Sequence, residues 1–102
     1  MKIYIAGRIT GDPHYKRKFR KAEKILARKG YSVMNPACLT DYPDFTWHDF
    51  MDVTSAMQEV CEAVYFLPDW NISRGAMVEY YKAEMLGQKK YFDIRKIPKV
   101  SK

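Results

Sequence analysis

Ala63-Val64-Tyr65-Phe66-Leu67-Pro68-Asp69-Trp70-Asn71-Ile72-Ser73-Arg74-Gly75-Ala76-Met77-Val78-Glu79 sets the frame for the whole chain. Residues 63–67 are an unbroken apolar run rich in β-formers, the pattern of a strand covered on both faces. A loop containing Pro68, Asp69 and Asn71 follows, and a helix is predicted from about Gly75 to the glycine stop at Gly87. A buried strand feeding a helix is half of a βαβ unit, and open α/β sheets keep their ligands at the carboxyl ends of such strands. Glu79 therefore falls near the ligand end, as a lone carboxylate inside an apolar stretch. A carboxylate in those surroundings must be paired, protonated or used.

The same alternation repeats on either side. Lys2 to Ala6 reads as a first strand, followed by the loop Gly7-Arg8-Ile9-Thr10-Gly11. Asp12-Pro13 predicts a helix start, with an acid as N-cap and proline at the first helical position, running to about Lys29 before Gly30. Tyr31 to Asn35 reads as a second strand, ended by Pro36, and residues 37–45 as a loop. Thr46-Trp47-His48-Asp49 has the form of a capping box with Asp in place of Glu. The helix it opens presents Phe50, Val53, Thr54, Met57, Val60 and Cys61 on one face. Lys90 to Ile94 is predicted as a fourth strand, and the basic segment from Arg95 as a loosely held tail.

This order predicts an α/β fold, flavodoxin-like or Rossmann-like, a three-layer sandwich on a parallel sheet of about four or five strands. One domain is expected over residues 1–94 and a basic tail over 95–102. A chain of 102 residues makes a real core but is small to enclose a substrate alone, so a homodimer or higher homo-oligomer is expected. With 47% apolar and 15% aromatic residues and no low-complexity tract, disorder is excluded. The amino-terminal apolar run is interrupted at Arg8, too soon for a signal peptide, and no run reaches the roughly 18 to 20 residues of a membrane span. A cytoplasmic protein without a membrane partner is expected. Cys38 and Cys61 lack metal-ligand spacing, so neither a disulfide nor a metal is assigned.

The net charge is +6, from 18 basic and 12 acidic residues, with the basic ones concentrated in 16–29 and 89–102. In the first cluster they alternate with Tyr15, Phe19, Ala22, Ile25 and Leu26 at helical spacing, which makes them the solvated face of an amphipathic helix rather than a nucleic-acid stripe. Such a balance also suits an anionic small molecule.

Several residues can carry chemistry. The loop Gly7-Arg8-Ile9-Thr10-Gly11 has neither P-loop nor dinucleotide spacing, so it is either a ligand loop offering backbone amides or a glycine-dependent tight turn. Glu79, in the first turns of its helix, has a dipole that favours ionisation and the makings of a nucleophile towards a sugar carbon. The alternative is a surface glutamate paired with Lys82 or Arg74. Asp49, Asp52 and Asp69 are candidates for a second carboxylate. By periodicity alone Asp52 shares the polar side of its helix with His48, Ser55 and Glu59, and Asp49 is a cap. His14 and His48 read as surface residues. Tyr4, Tyr65, Tyr80 and Tyr81 read as core or interface aromatics, and Trp47 or Trp70 as part of a lid.

Taken together, Met1 to Gly7 with Thr10-Gly11, Cys61 to Trp70, Ser73-Arg74-Gly75-Ala76 through Glu79, and Leu86-Gly87 resemble the nucleoside 2-deoxyribosyltransferase superfamily, over residues 1 to about 94. The resemblance implies a flavodoxin-like domain that cleaves the N-glycosidic bond of deoxynucleosides or their nucleotides through a glutamate nucleophile, without metal or organic cofactor. The family nucleophile follows a glycine by four residues, as Glu79 follows Gly75. An aspartate of the preceding helix holds the sugar or handles protons, and Asp52 falls there without gaps. Gly7, Ile9, Thr10 and Gly11 become the loop around the deoxyribose, and Ser73, Arg74 and Gly75 the substrate-binding helix start. Transferases acting on free nucleosides tend to carry an acid six positions before the nucleophile. Here Ser73 stands there, which resembles the branch that hydrolyses deoxynucleoside 5'-monophosphates. Residues 95–102 do not match the family's carboxyl terminus, which often enters the neighbouring subunit's site.

The mechanism this implies is attack of Glu79 on C1', departure of the base with Asp52 as its acid, and release of the glycosyl-enzyme by water or a second base. Two other readings compete: a nucleotide-binding module of the same fold without catalysis, and a small basic nucleic-acid-binding protein, which the ordinary amphipathic helix makes the last choice.

Overall fold

A computed structural model describes residues 1–101. The elements are, in chain order, β1 (Lys2–Ala6), α1 (Tyr15–Arg28), β2 (Ser32–Met34), α2 (Trp47–Glu59), β3 (Ala63–Phe66), α3 (Arg74–Leu86) and β4 (Lys89–Tyr91), with short 3-10 helices at Pro36–Asp41, Trp70–Ile72 and Ile94–Lys96. All pairings in the single sheet are parallel, in the order β2-β1-β3-β4, with Ile5 opposite Tyr65 and Ala6 opposite Phe66. The result is the α/β three-layer sandwich expected, on four strands.

Strand parity divides the core in two. Ile3, Ile5, Ala63, Tyr65 and Leu67 point to one face and pack on Phe19, Ala22 and Leu26 of α1. Tyr4, Ala6, Val64 and Phe66 point to the other and pack on Ala76 and Ala83 of α3. Both central strands are thereby covered on each side, which is why their sequences are apolar without alternation.

Five local expectations are corrected. Helix α1 starts at Tyr15, because the Asp12 carboxylate is spent on a turn: Oδ1 accepts the His14 amide at 2.8 Å and Oδ2 the Lys18 ammonium at 2.7 Å. Residues 36–41 wind into a 3-10 helix capped by the Asn35 side chain. On α2 the fully buried residues are Thr54 and Gln58, whereas Val53 and Val60 are exposed. Gln58 is tolerated inside because its amide nitrogen donates to the Glu79 carbonyl at 2.9 Å and to Gln88 Oε1 at 3.1 Å. Strand β4 ends at Tyr91, and Asp93 caps the short helix that follows.

The fifth correction concerns the segment expected to be loose. Residues 94–100 form a strap against the carboxyl-terminal end of α1 and complete the core on the α1 side of the sheet. Ile97 is 1% exposed, and Ile94 and Val100 pack against the same core. Lys29 Nζ donates to the Ile94 and Ile97 carbonyls at 2.9 and 2.6 Å, the Tyr31 hydroxyl to the Pro98 carbonyl at 2.9 Å, and the Val100 amide to the Lys29 carbonyl at 2.8 Å. An apolar residue at every third position supplies what a further helix would have supplied; Lys102 lies outside the described residues. Among the described residues no helix is long and apolar enough to cross a membrane.

Candidate functional site

From β1 the chain crosses to β2 on one side, and from β3 to β4 on the other, so the loops that leave β1 and β3 diverge. Open α/β sheets form their crevice at such a point. Here it is a cleft of about 700 Å³ bounded by Gly7 to Thr10, by the segment between β2 and α2, and by the amino-terminal end of α3.

Its floor is Glu79 against Tyr4. Glu79 shares the inward face of α3 with Ala76 and Ala83, at spacings of three and four, and is 7% exposed. Tyr4, fully buried, donates its hydroxyl to Glu79 Oε2. The Thr54 hydroxyl from α2 lies beside both and favours their charged forms. Burial outweighs these hydrogen bonds and the nearby Lys82 charge, pushing the Glu79 carboxyl up to about 8. Burial first, and then the Glu79 charge, holds the Tyr4 phenol well above its ordinary value, so the phenol stays a donor. The expectation that the helix dipole keeps Glu79 ionised is thus corrected. The dipole acts within the first turn, and Glu79 lies beyond it.

The family described as Domain of unknown function (DUF4406) matches residues 1–92, which spans β1 through β4. The chain belongs to this family. No curated protein matches it.

In this DUF4406 chain most of the residues expected at the site meet in the cleft. Ser73 is the N-cap of α3, its hydroxyl accepting the Ala76 amide at 3.2 Å. Arg74 projects over the Trp47 ring at 5.0 Å, and Gly75 lets α3 approach α2, since a Cβ there would stand 3.3 Å from Met51 Sδ. Gly7, Ile9 and Thr10 line the opposite wall. Glycine is required at position 7 because a Cβ would lie 2.5 Å from Leu67 Cδ1 and 2.9 Å from Leu67 Cβ. Gly11 lies outside the lining; its φ of +85° closes the turn, a structural use.

Asp52 is not brought to Glu79. It is exposed on α2 and absent from the cleft, because it precedes Thr54 by two residues and a helix turns about 200° over that interval. Thr54 occupies the inward position instead. Among the described residues lining the cleft, Glu79 is the one carboxylate.

Four features escape sequence reasoning. Tyr4 touches the carboxylate; its inward parity beside Ala6 is the signal that could have found it. Thr54 falls on the inner face of α2 by periodicity, but its partner does not follow from that. Arg8 lines the cleft, with its amide donating to Asp69 Oδ1 and its Nε to the Thr10 carbonyl, both at 3.2 Å. Tyr42, Phe45, Trp47 and Phe50 form an aromatic wall, with Tyr42 and Phe45 stacked at 5.5 Å. Trp47 thus borders the cleft, whereas Trp70 stacks on Tyr80 in the core at 5.0 Å. Among the described residues no three His, Cys, Asp or Glu side chains are grouped to hold a metal ion.

Proposed function

We propose that the protein cleaves the N-glycosidic bond of a deoxynucleoside or deoxynucleoside 5'-monophosphate, with Glu79 as nucleophile and water or a second base as acceptor. One observation carries this reading: a single buried carboxylate, held by a tyrosine hydroxyl, at the floor of a cleft at the sheet's switch point. The resemblance to the nucleoside 2-deoxyribosyltransferases supports it from the sequence side. A Glu79 oxygen forms a bond to C1' while the C1'–N bond breaks and its electron pair leaves with the base, which takes up a proton. Water or a base then attacks C1' and frees the carboxylate. Tyr4 orients Glu79 and stabilises its charge whenever it is ionised.

The aromatic wall offers a flat base a stacking surface. Arg8, Arg74 and the amino terminus of α3 at the mouth favour a substrate that carries a phosphate. The base-protonating acid expected at Asp52 has no support from its position. Self-association is supported by the exposed apolar side chains Val78, Tyr81 and Met85, at spacings of three and four along α3.

A second reading is favoured by the raised Glu79 pKa. A carboxyl that is mostly neutral near pH 7 binds a ligand as a hydrogen-bond donor, without catalysis. Incubation with a panel of deoxynucleosides and their 5'-monophosphates, with and without an acceptor base, separates the two. Base release that disappears in Glu79→Gln supports glycosidic cleavage. Release that persists in a folded Glu79→Gln refutes it. Thermal stabilisation by a nucleotide with no release supports the binding module.

A further inference from the structure

We propose, building on the glycosidic reading above, that the nucleotide taken by this cleft carries a base with a fixed positive charge, a ring quaternised on its glycosidic nitrogen or a neighbouring one, which departs without the proton an ordinary base takes up.

The side chains that line the cleft point to this leaving group. A neutral base leaves C1' as an anion unless an acid protonates it, and a positioned acid is worth about 10² to 10⁴ in rate. Among the described residues lining the cleft Glu79 is the one carboxylate, and no histidine, lysine or cysteine joins it. Glu79 cannot attack C1' and also supply that proton. The other protic side chains there are phenols, alcohols, guanidinium groups and an indole. Groups of these kinds keep their protons far above neutral pH. Several are committed besides: Tyr4 to Glu79 Oε2, Thr46 to the Asp49 amide at 3.0 Å and Ser73 to the Ala76 amide at 3.2 Å.

The aromatic wall suits a cation. The Arg74 guanidinium already lies 5.0 Å from the centre of the Trp47 ring, so a positive charge rests on a ring face of this wall. Tyr42 and Phe45, 58% and 39% exposed, present two further rings. At the floor, a positive charge beside Glu79 favours the carboxylate over the neutral acid and so works against the burial that raises it.

The charged groups lining the cleft are Arg8, Arg74 and Glu79. Neither arginine has an acidic partner among the described residues, and together they would repel a bare cationic nucleoside. The substrate is therefore the zwitterionic nucleotide, its phosphate towards the arginines and its charged base against Tyr42 and Phe45. The step balances without an acid. As a Glu79 oxygen bonds to C1', the C1'–N bond breaks and its electron pair stays on the ring, cancelling the charge. Water then attacks C1', frees the carboxylate and gives its surplus proton to solvent.

The test measures base release at pH 7 from two charged nucleotides, nicotinamide 2'-deoxymononucleotide and 7-methyl-2'-deoxyguanosine 5'-monophosphate. Their neutral counterparts of like ring size are 2'-deoxycytidine and 2'-deoxyguanosine 5'-monophosphates. Release without protein is subtracted, and Glu79→Gln is run alongside. The charged member of each pair is expected to be preferred in kcat/KM by about 100-fold or more, with release lost in Glu79→Gln. Removing the phosphate from the 7-methyl substrate is expected to lower kcat/KM about tenfold or more. A smaller preference for the charged bases, with release still lost in Glu79→Gln, would overturn the inference and leave glycosidic cleavage standing, because a proton donor would then reach the base from solvent or a second copy. Cationic nucleosides cleaved as well as their phosphates would overturn the zwitterionic substrate. No release from any of the four nucleotides would overturn both the inference and the reading beneath it.

Discussion

Replacing Glu79 by Gln should make the protein more stable at neutral pH while abolishing the proposed base release. Burial raises the carboxyl from its ordinary 4.5 to about 8, so between those values the folded chain holds a proton that the unfolded chain has released. Stability from this group is therefore fully present below pH 4.5 and is lost as pH rises towards 8. Each unit of displacement is worth about 1.4 kcal/mol, which makes the whole rise worth about 5 kcal/mol. From pH 5.5 to 7.5, where the unfolded carboxyl is ionised and the folded one mostly neutral, the loss is about 3 kcal/mol. Glutamine is neutral throughout, nearly isosteric, and still accepts the Tyr4 hydroxyl. The variant should exceed the parent by about 1.4 kcal/mol at pH 5.5 and by about 4 kcal/mol at pH 7.5. Urea unfolding of both proteins at the two pH values, followed by far-ultraviolet circular dichroism, measures this directly. Equal pH dependence in the two proteins would refute the claim that Glu79 is buried as a neutral acid.

Tyr4→Phe removes a donor that lowers the Glu79 pKa, so base release should fall about tenfold or more and its pH profile should move upward; an unmoved profile would show that the phenol is not coupled to the carboxylate. Ile97→Ala should cost about 2 to 5 kcal/mol in urea unfolding, because the side chain is 1% exposed in the core; a loosely held tail would give no change. Asp52→Asn should leave base release unaltered, since the residue lies outside the cleft, and a large loss would restore it as the acid.

The legible parts of the fold are those whose signal is local. Residues 63–66 and 2–6 announce central parallel strands because both faces are covered, and the Thr46–Asp49 capping box forms as its spacing predicts. The strap is illegible for the converse reason. Ile94, Ile97 and Val100 are diluted by Arg95, Lys96 and Lys99, and a period of three matches neither a strand nor a helix. At the site, Glu79 can be singled out as a carboxylate in an apolar run, but its partner Tyr4 lies 75 residues away and is joined to it only by the sheet. Asp52 illustrates the limit of counting from a resemblance. Matching positions along the chain selects Asp52, whereas the phase of α2 turns Thr54 inward. Gln58 has no apolar character to mark it as a core residue, and its burial makes sense only once Gln88 and the Glu79 carbonyl are brought to it.

A neutral Glu79 at rest is compatible with the proposed attack. The burial that lifts the carboxyl to about 8 also deprives its anion of hydration, so once ionised it is held by Tyr4 and Thr54, with the Lys82 charge nearby. Cationic charge developing on a bound sugar as the base departs then interacts with that anion in a medium that screens little. The cost of ionising the carboxyl at pH 7 is about 1.4 kcal/mol, small beside the stabilisation an unsolvated ion pair provides. Under this chemistry the rate should rise with pH towards 8 and then level, following Glu79 rather than any surface acid. A binding module that uses the neutral acid as donor would do the reverse and lose affinity over the same interval. The sign of the pH dependence between 6.5 and about 8 therefore separates the two readings of the cleft, whichever base the ligand carries.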